Sequence, residues 1–155
     1  MSYLFNKPYY GAMPKLAYCD TCVYLDYYSE RKRSVEAFKF FTEVISCRYN
    51  LVISNWLLTE LKKFVEADQT NSPLLQHLRN MKKIVCVSAS EADFENAKRI
   101  NPINWQDSLH ALLAQRASAD VFITRNLKDF KRDQLKEKFN IEVLTPREAV
   151  EKLNL

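Results

Sequence analysis

Residues 119–130 read Ala-Asp-Val-Phe-Ile-Thr-Arg-Asn-Leu-Lys-Asp-Phe, a short apolar run enclosed by polar residues. The segment from Val121 to Thr124 is too short for a stable helix and is typical of a buried strand in a parallel sheet. Helical patterns flank it, from Trp105 to Ser118 before it and from Arg132 to Phe139 after it. A strand between two helices indicates an α/β fold.

The same alternation of short apolar segments and helical patterns extends over the rest of the chain. Four further strands are predicted, at 15–19, 51–53, 84–87 and 141–144. Further helices are predicted at 21–28, 34–49, 55–67, 72–81 and 90–99, and a last one opens with Thr145-Pro146. Ser54 or Asn55 is expected to cap the helix that follows the second strand. We therefore predict a three-layer α/β/α fold around a parallel sheet of about four to five strands.

The chain has 155 residues, of which 47% are hydrophobic and 27% charged, and this composition predicts one globular domain over 15–155. Residues 1–14 are rich in aromatic side chains and contain the breakers Pro8, Gly11 and Pro14, so they are predicted to form an irregular arm. No segment approaches the ~18 apolar residues of a membrane span, and the arm lacks the apolar core of a signal peptide. We therefore expect a cytoplasmic protein with no membrane partner.

The glycine and charge content bounds the classes of function. Gly11 is the only glycine, so neither G-x-G-x-x-G nor a Walker A loop can be built, which excludes the common glycine-rich phosphate sites. The net charge of +4 is compatible with an anionic partner such as nucleic acid.

Cysteines offer a second kind of site. Cys19 and Cys22 form a C-x-x-C motif, which is found in zinc and redox sites. Zinc would need a second pair, and Cys47 and Cys86 are isolated, whereas a redox pair does fit the start of a helix after a strand. Free buried thiols in a reducing compartment are the favoured interpretation.

Four acidic residues lie next to apolar segments although they are far apart in the sequence. Asp20 follows the first strand, Glu60 lies in the helix after the second, Asp107 in the first turn of a helix, and Asp129 just beyond the fourth strand. In parallel sheets, sites form outside the carboxyl ends of the strands. If the acids converge there, they provide the oxygen ligands that Mg²⁺ or Mn²⁺ prefer, a pattern typical of metal-assisted phosphodiester cleavage.

Each acid also has an ordinary structural explanation. Asp20 is placed to cap the helix that begins at Thr21, and Asp107 to complete a capping box with Asn104. Glu60 is close enough to the neighbouring lysines for a surface ion pair. Asp129 is compatible with a simple role in a turn.

Four segments of the chain resemble a PIN domain, the small α/β nuclease fold known from VapC-type toxins of toxin–antitoxin pairs. The matching segments are 17–21, 52–61, 105–111 and 119–130. The last of these, a strand followed by T-R-N-x-x-D-F, is the most specific. The resemblance extends from about Lys15 to Leu144.

The resemblance implies the following roles. Asp20, Glu60 and Asp107 would be the catalytic, metal-binding acids. The fourth acidic position of the family falls on Asn126, with Asp129 three residues later, so both are candidates for the fourth metal ligand. The residue pair before Asn126 also has implied roles: Thr124 would orient a water or an acid, and Arg125 would contact a substrate phosphate.

By this resemblance the protein is predicted to be a Mg²⁺- or Mn²⁺-dependent endoribonuclease that cuts single-stranded RNA. For a toxin of this kind, the expected partners are RNA, an antitoxin protein and a second copy of the chain. Because Asn126 lacks a charge, a PIN-like RNA- or protein-binding module without catalysis is the main alternative. A phosphoryl-transfer enzyme with Asp20 as acceptor fits less well, because Cys22 stands where such enzymes place a second Asp. No role is assigned to His110, one helical turn after Asp107.

Overall fold

A computed structural model describes residues 15–28, 34–45, 49–64, 73–125, 127 and 132–153. Within these ranges, five strands alternate with eight helices. The predictions made for the arm at 1–14, for Cys47, for Asn126 and for Asp129 lie outside the described residues.

The five strands form one parallel sheet in the order β3-β2-β1-β4-β5. Their bounds are Lys15–Cys19 for β1, Tyr49–Ser54 for β2, Ile84–Val87 for β3, Val121–Ile123 for β4 and Glu142–Leu144 for β5. Every strand lies within three residues of its predicted position, and the predicted parallel α/β architecture is confirmed.

The helices are α1 (Thr21–Tyr28), α2 (Ser34–Ile45), α3 (Asn55–Phe64), α4 (Pro73–Asn80), α5 (Glu91–Ile100), α6 (Trp105–Arg116), α7 (Arg132–Phe139) and α8 (Pro146–Leu153). Ser54 caps α3, since its Oγ accepts a hydrogen bond of 2.9 Å from the backbone N–H of Leu57. The prediction of a helix over 34–49 is wrong at its end, because Tyr49 begins β2 and is buried there. None of the described helices is long and apolar enough to cross a membrane.

Two apolar cores cover the two faces of the sheet. Successive strand residues point to opposite faces, so Leu51 and Ile53 belong to one core and Val52 to the other. The first core is closed by α1, α2, α4, α8 and most of α3, and the second by α5, α6 and α7, with Trp56 of α3 at its edge. This is the predicted three-layer arrangement.

Helix α2 buries a face that the apolar pattern predicts only in part. Phe41 is buried as its spacing suggests, and Phe40 and Val44 are buried beside it. Val35 and Phe38, which recur with Phe41 at intervals of three residues, are nevertheless 58% and 61% exposed. The Phe38 ring lies parallel to that of Tyr27 instead, with the centroids 6.5 Å apart.

The strand order reverses between β1 and β4. The chain adds β2 and then β3 on one side of β1, and returns to place β4 on the other side. Such a reversal leaves a crevice outside the carboxyl ends of the two central strands, which is where ligands bind in open parallel sheets. Asp20 and Thr124 are the residues that directly follow β1 and β4, so both lie at this crevice.

Candidate active site

Asp20 is a buried carboxylate held by three donors. Its Oδ1 accepts a hydrogen bond of 2.8 Å from the backbone N–H of Thr21. Its Oδ2 accepts one of 3.0 Å from the Thr124 hydroxyl and one of 3.3 Å from the Cys22 thiol. The backbone N–H of Asp20 also donates to the carbonyl of Ile123 at 2.8 Å, which fixes the residue between the ends of β1 and β4.

Thr21 connects Asp20 to the second predicted acid, Glu60. The Thr21 hydroxyl donates to Oε1 of Glu60 at 2.7 Å, while its backbone N–H donates to Asp20. Glu60 is therefore not a surface side chain paired with neighbouring lysines; it reaches back over the sheet edge to the residue next to Asp20. The structure thus brings two acids that are far apart in sequence to the same crevice.

His110 is the second partner of Glu60. Its imidazole is buried on α6, and Nε2 lies 2.5 Å from Oε1 of Glu60. On the other side of the ring, Nδ1 lies 2.6 Å from the hydroxyl of Tyr18, and that hydroxyl lies 2.7 Å from Oγ of Ser54. A continuous polar chain therefore runs from the acidic crevice through the second core to the end of β2.

Asp107 acts on the same imidazole. It lies one helical turn before His110 on α6. The alternative role of Asp107 in a capping box is not seen, because Asn104 makes no side-chain hydrogen bond at the start of this helix. Burial disfavours the charged form of His110, but the hydrogen bond to Glu60 and the charges of Asp20, Glu60 and Asp107 outweigh it and raise the pKa of this histidine. The charges of all three predicted acids thus favour the protonated form of this one ring.

The same contacts keep Glu60 ionised. Burial acts to raise the pKa of this carboxyl, but the hydrogen bonds from His110 and Thr21 and the charge of Lys63 prevail and lower it. The contact between Glu60 and His110 therefore favours the ionised carboxylate and the protonated imidazole.

The donor set around the crevice suits a hard cation. Asp20, Glu60 and Asp107 offer carboxylate oxygens and Thr124 a hydroxyl, which are the ligand types of Mg²⁺ and Mn²⁺. The nearest sulfur belongs to Cys22, where burial and the charge of Asp20 raise the pKa to about 12, so the thiol stays protonated. In the described ranges, no three His, Cys, Asp or Glu side chains are grouped as metal ligands. The oxygen ligands are therefore of the type that Mg²⁺ and Mn²⁺ prefer, while Asp20 and Glu60 accept hydrogen bonds from protein donors.

Arg125 is engaged elsewhere. Its Nε donates to Oδ2 of Asp26 at 2.9 Å, and the Arg125 side chain is 31% exposed whereas that of Asp26 is 3% exposed. The predicted phosphate contact of Arg125 stays a prediction, since part of the guanidinium is committed to α1.

The cysteines with described positions are free thiols, but only one of them is fully buried as predicted. Cys19 is buried, Cys22 is partly buried and Cys86 is exposed. Burial also raises the pKa of Cys19, so both thiols of the C-x-x-C motif stay protonated, whereas a redox-active cysteine has a lowered pKa.

No protein-family model matches this sequence, and no curated protein matches it. The function therefore has to be inferred from the site itself.

Proposed function

We propose that the protein is a Mg²⁺- or Mn²⁺-dependent endoribonuclease of the PIN type, which hydrolyses phosphodiester bonds of single-stranded RNA. The observation that carries the proposal is that Thr21 donates hydrogen bonds to both Asp20 and Glu60 at the reversal of strand order, while Glu60 contacts His110, one helical turn after Asp107. Acids this far apart in sequence meet only through the fold, and the place where they meet is where parallel sheets bind ligands.

In this proposal Asp20, Glu60 and Asp107 would hold the cation, and a cation so held offsets phosphate charge and activates the attacking water. The neighbouring residues position these acids. Thr124 and the backbone of Thr21 fix Asp20, while the Thr21 hydroxyl and His110 fix Glu60. Fixed carboxylates hold a ligand without the entropic cost of ordering them at each turnover.

Conservative substitutions of the acids test the proposal. Asp20→Asn and Asp107→Asn should each abolish Mn²⁺-dependent cleavage of a fluorescent single-stranded RNA, because a required charge is lost. Glu95→Gln, in an exposed acid of α5, is the matched control and should cleave like the wild type. Circular dichroism must show that all three variants are folded. Undiminished cleavage by both site variants refutes the proposal.

A PIN-like binding module without catalysis is the second candidate. It is favoured by the engagement of Glu60 with His110 and by the lack of a three-ligand group among the described side chains. Calorimetric titration with Mn²⁺ separates the two candidates. The nuclease should bind the ion at millimolar concentration or below, and a degenerate module should not.

The toxin role belongs to the same proposal. An antitoxin protein would then cover the acidic crevice, a second copy of the chain would be a further partner, and the substrate would be cytoplasmic RNA. Induced expression in a bacterial host should arrest growth, and Asp20→Asn should relieve the arrest. Arrest that persists in this variant would exclude a nuclease toxin.

A further inference from the structure

Three aromatic side chains form a cluster beside the acidic crevice, and we name Trp56, Phe94 and Trp105 the aromatic ledge. The ring centroids of Trp56 and Trp105 are 5.4 Å apart, and Phe94 lies 5.7 Å from Trp56 and 6.1 Å from Trp105. The rings come from α3, α5 and α6, and each is partly exposed. The ledge therefore packs on the second core and also presents aromatic surface to solvent.

Two exposed lysines flank the ledge. Nζ of Lys63 lies 5.5 Å from the centroid of the Trp56 ring, and Nζ of Lys98 lies 5.2 Å from that of Trp105. Each ammonium is thus held over one indole by a cation–π contact. The ledge combines flat aromatic surface with positive charge, and this combination recurs in proteins that bind single-stranded nucleic acid.

The ledge is continuous with the crevice. Trp56 lies one helical turn before Glu60 on α3, so the two side chains share a helix face, and Trp105 begins α6 two residues before Asp107. Lys63 is close to the ledge and to the crevice, because its ammonium lies over Trp56 and its charge also lowers the pKa of Glu60. A nucleic-acid chain that followed the ledge along α3 would approach Glu60.

A purely structural explanation is that the ledge only covers the edge of the second core. It leaves two features unexplained. The indole N–H of Trp56 is buried and has no hydrogen-bond partner in the described structure, which is an unfavourable place for a purely structural Trp. In addition, both indoles carry a lysine on an exposed surface, although packing alone needs no positive charge.

We propose that the aromatic ledge, with Lys63 and Lys98, binds single-stranded nucleic acid, whose phosphates draw the two lysines off the indoles so that its bases stack on Trp56 and Trp105. The inference deepens the proposed nuclease function and rests on it for the class of ligand. A duplex is excluded as the preferred ligand, because its bases are stacked on one another and offer no free face.

Intrinsic fluorescence reports on the ledge directly, because Trp56 and Trp105 are the only two tryptophans of the chain. In EDTA, which prevents cleavage, a single-stranded oligouridylate should quench the fluorescence in a saturable manner, and added salt should weaken the binding. A duplex of equal length should quench far less. Polyphosphate tests for the bases, since it can pair with the lysines but cannot stack. Equal quenching by polyphosphate, or by anionic vesicles, would overturn the proposal.

Paired lysine variants give the matched comparison. Lys63→Ala/Lys98→Ala should weaken oligouridylate binding about tenfold, because two phosphate contacts are lost. Lys39→Ala/Lys136→Ala removes the same charge from exposed positions on α2 and α7 and should change affinity less than about twofold. Equal effects of the two pairs would show that only net charge matters and would overturn the inference.

Aromatic variants test stacking. Trp56→Ala should reduce affinity about tenfold or more, whereas Trp56→Phe keeps a ring and should largely retain binding. Phe38→Ala, in an exposed aromatic of α2, is the control for loss of any surface ring. Thermal melting must show that the variants are folded, and wild-type affinity in folded Trp56→Ala would overturn the inference.

Failure of this inference can be told from failure of the nuclease proposal. Quenching by oligouridylate in EDTA without cleavage in Mn²⁺ would support the ledge and refute the nuclease. Cleavage that requires Asp20 but is accompanied by no quenching would support the nuclease and overturn the ledge.

Discussion

Nε2 of His110 lies 2.5 Å from Oε1 of Glu60, so a buried imidazole and a partly buried carboxylate share a short hydrogen bond at the carboxyl edge of the sheet. His110 is on α6, which packs in the second core, and Glu60 is on α3, which buries Leu57 and Leu61 in the first. Their contact therefore ties the two helical layers together above the strand ends. Because the same pair lies among the predicted metal ligands, the stability and the chemistry of the protein should both depend on it.

Removal of the imidazole should destabilise the fold. His110→Ala should lower the free energy of unfolding by about 2–3 kcal/mol, because a charged hydrogen bond and the packing of the ring against Tyr18 are lost. His77→Ala is the matched control, since His77 is the only other histidine and its side chain is exposed on α4. Urea denaturation followed by circular dichroism measures both. Equal stability of the two variants would contradict the proposed contact.

The pair should also give the metal-free protein a defined pH profile. The pKa of His110 is raised above 6.5, so its contribution to stability is complete below pH 6.5 and is lost as pH rises through the folded-state value. The pKa of Glu60 is lowered below 4.5, so its contribution is complete above pH 4.5 and is lost as pH falls through the folded-state value.

The contribution of the pair to stability should therefore be largest between pH 4.5 and pH 6.5. Urea titrations in EDTA across the pH range measure it as the difference between the wild type and His110→Gln. That difference should shrink above pH 6.5 and again below pH 4.5. A difference that grows as pH rises above 6.5 would have the wrong sign for an imidazolium held by carboxylates.

Local pattern was sufficient to predict much of this fold. The strand Lys15–Cys19 and the position of Asp20 at its end follow from an apolar run that stops at a polar residue before a helix. The end of α2 could not be found in this way. Tyr49 suits a helix as well as a strand, and its burial in β2 is decided by pairing with Lys15, which is distant in sequence.

The part of the site that sequence analysis missed depends on contacts between distant residues. Tyr18 and His110 are separated by 92 positions, and His110 and Glu60 by 50, so no local period relates them. One signal was present, because the spacing of Asp107 and His110 places both on one face of a helix. It did not reveal that this face points to Glu60, because that depends on how α3 and α6 meet over the sheet.

Thr124 offers a test of how Asp20 is positioned. Thr124→Val keeps the shape of the buried side chain but removes the hydroxyl that donates to Asp20 at 3.0 Å. We expect a loss of about 1–2 kcal/mol in the free energy of unfolding, and a lower rate of RNA cleavage at saturating substrate. Thr124→Ser keeps the donor and should recover most of the rate. Equal rates for the Val and Ser variants would show that this hydroxyl does not position Asp20.

Arg125 distinguishes a structural role from a role in phosphate binding. Its Nε donates to Asp26, which is almost fully buried, so Arg125→Ala removes a positive charge from beside a buried carboxylate. We expect about 2–3 kcal/mol of destabilisation, less than for a fully buried pair because the arginine is partly exposed. Arg125→Ala/Asp26→Asn removes both charges and should recover part of that stability, measured by urea denaturation as a double-mutant cycle. Additive effects would show that the two residues are not coupled. RNA binding by the same two variants tests the second role. If RNA affinity falls equally in Arg125→Ala and in the double variant, the guanidinium also contacts phosphate. If only stability changes, the role of Arg125 is to hold α1 against the end of β4.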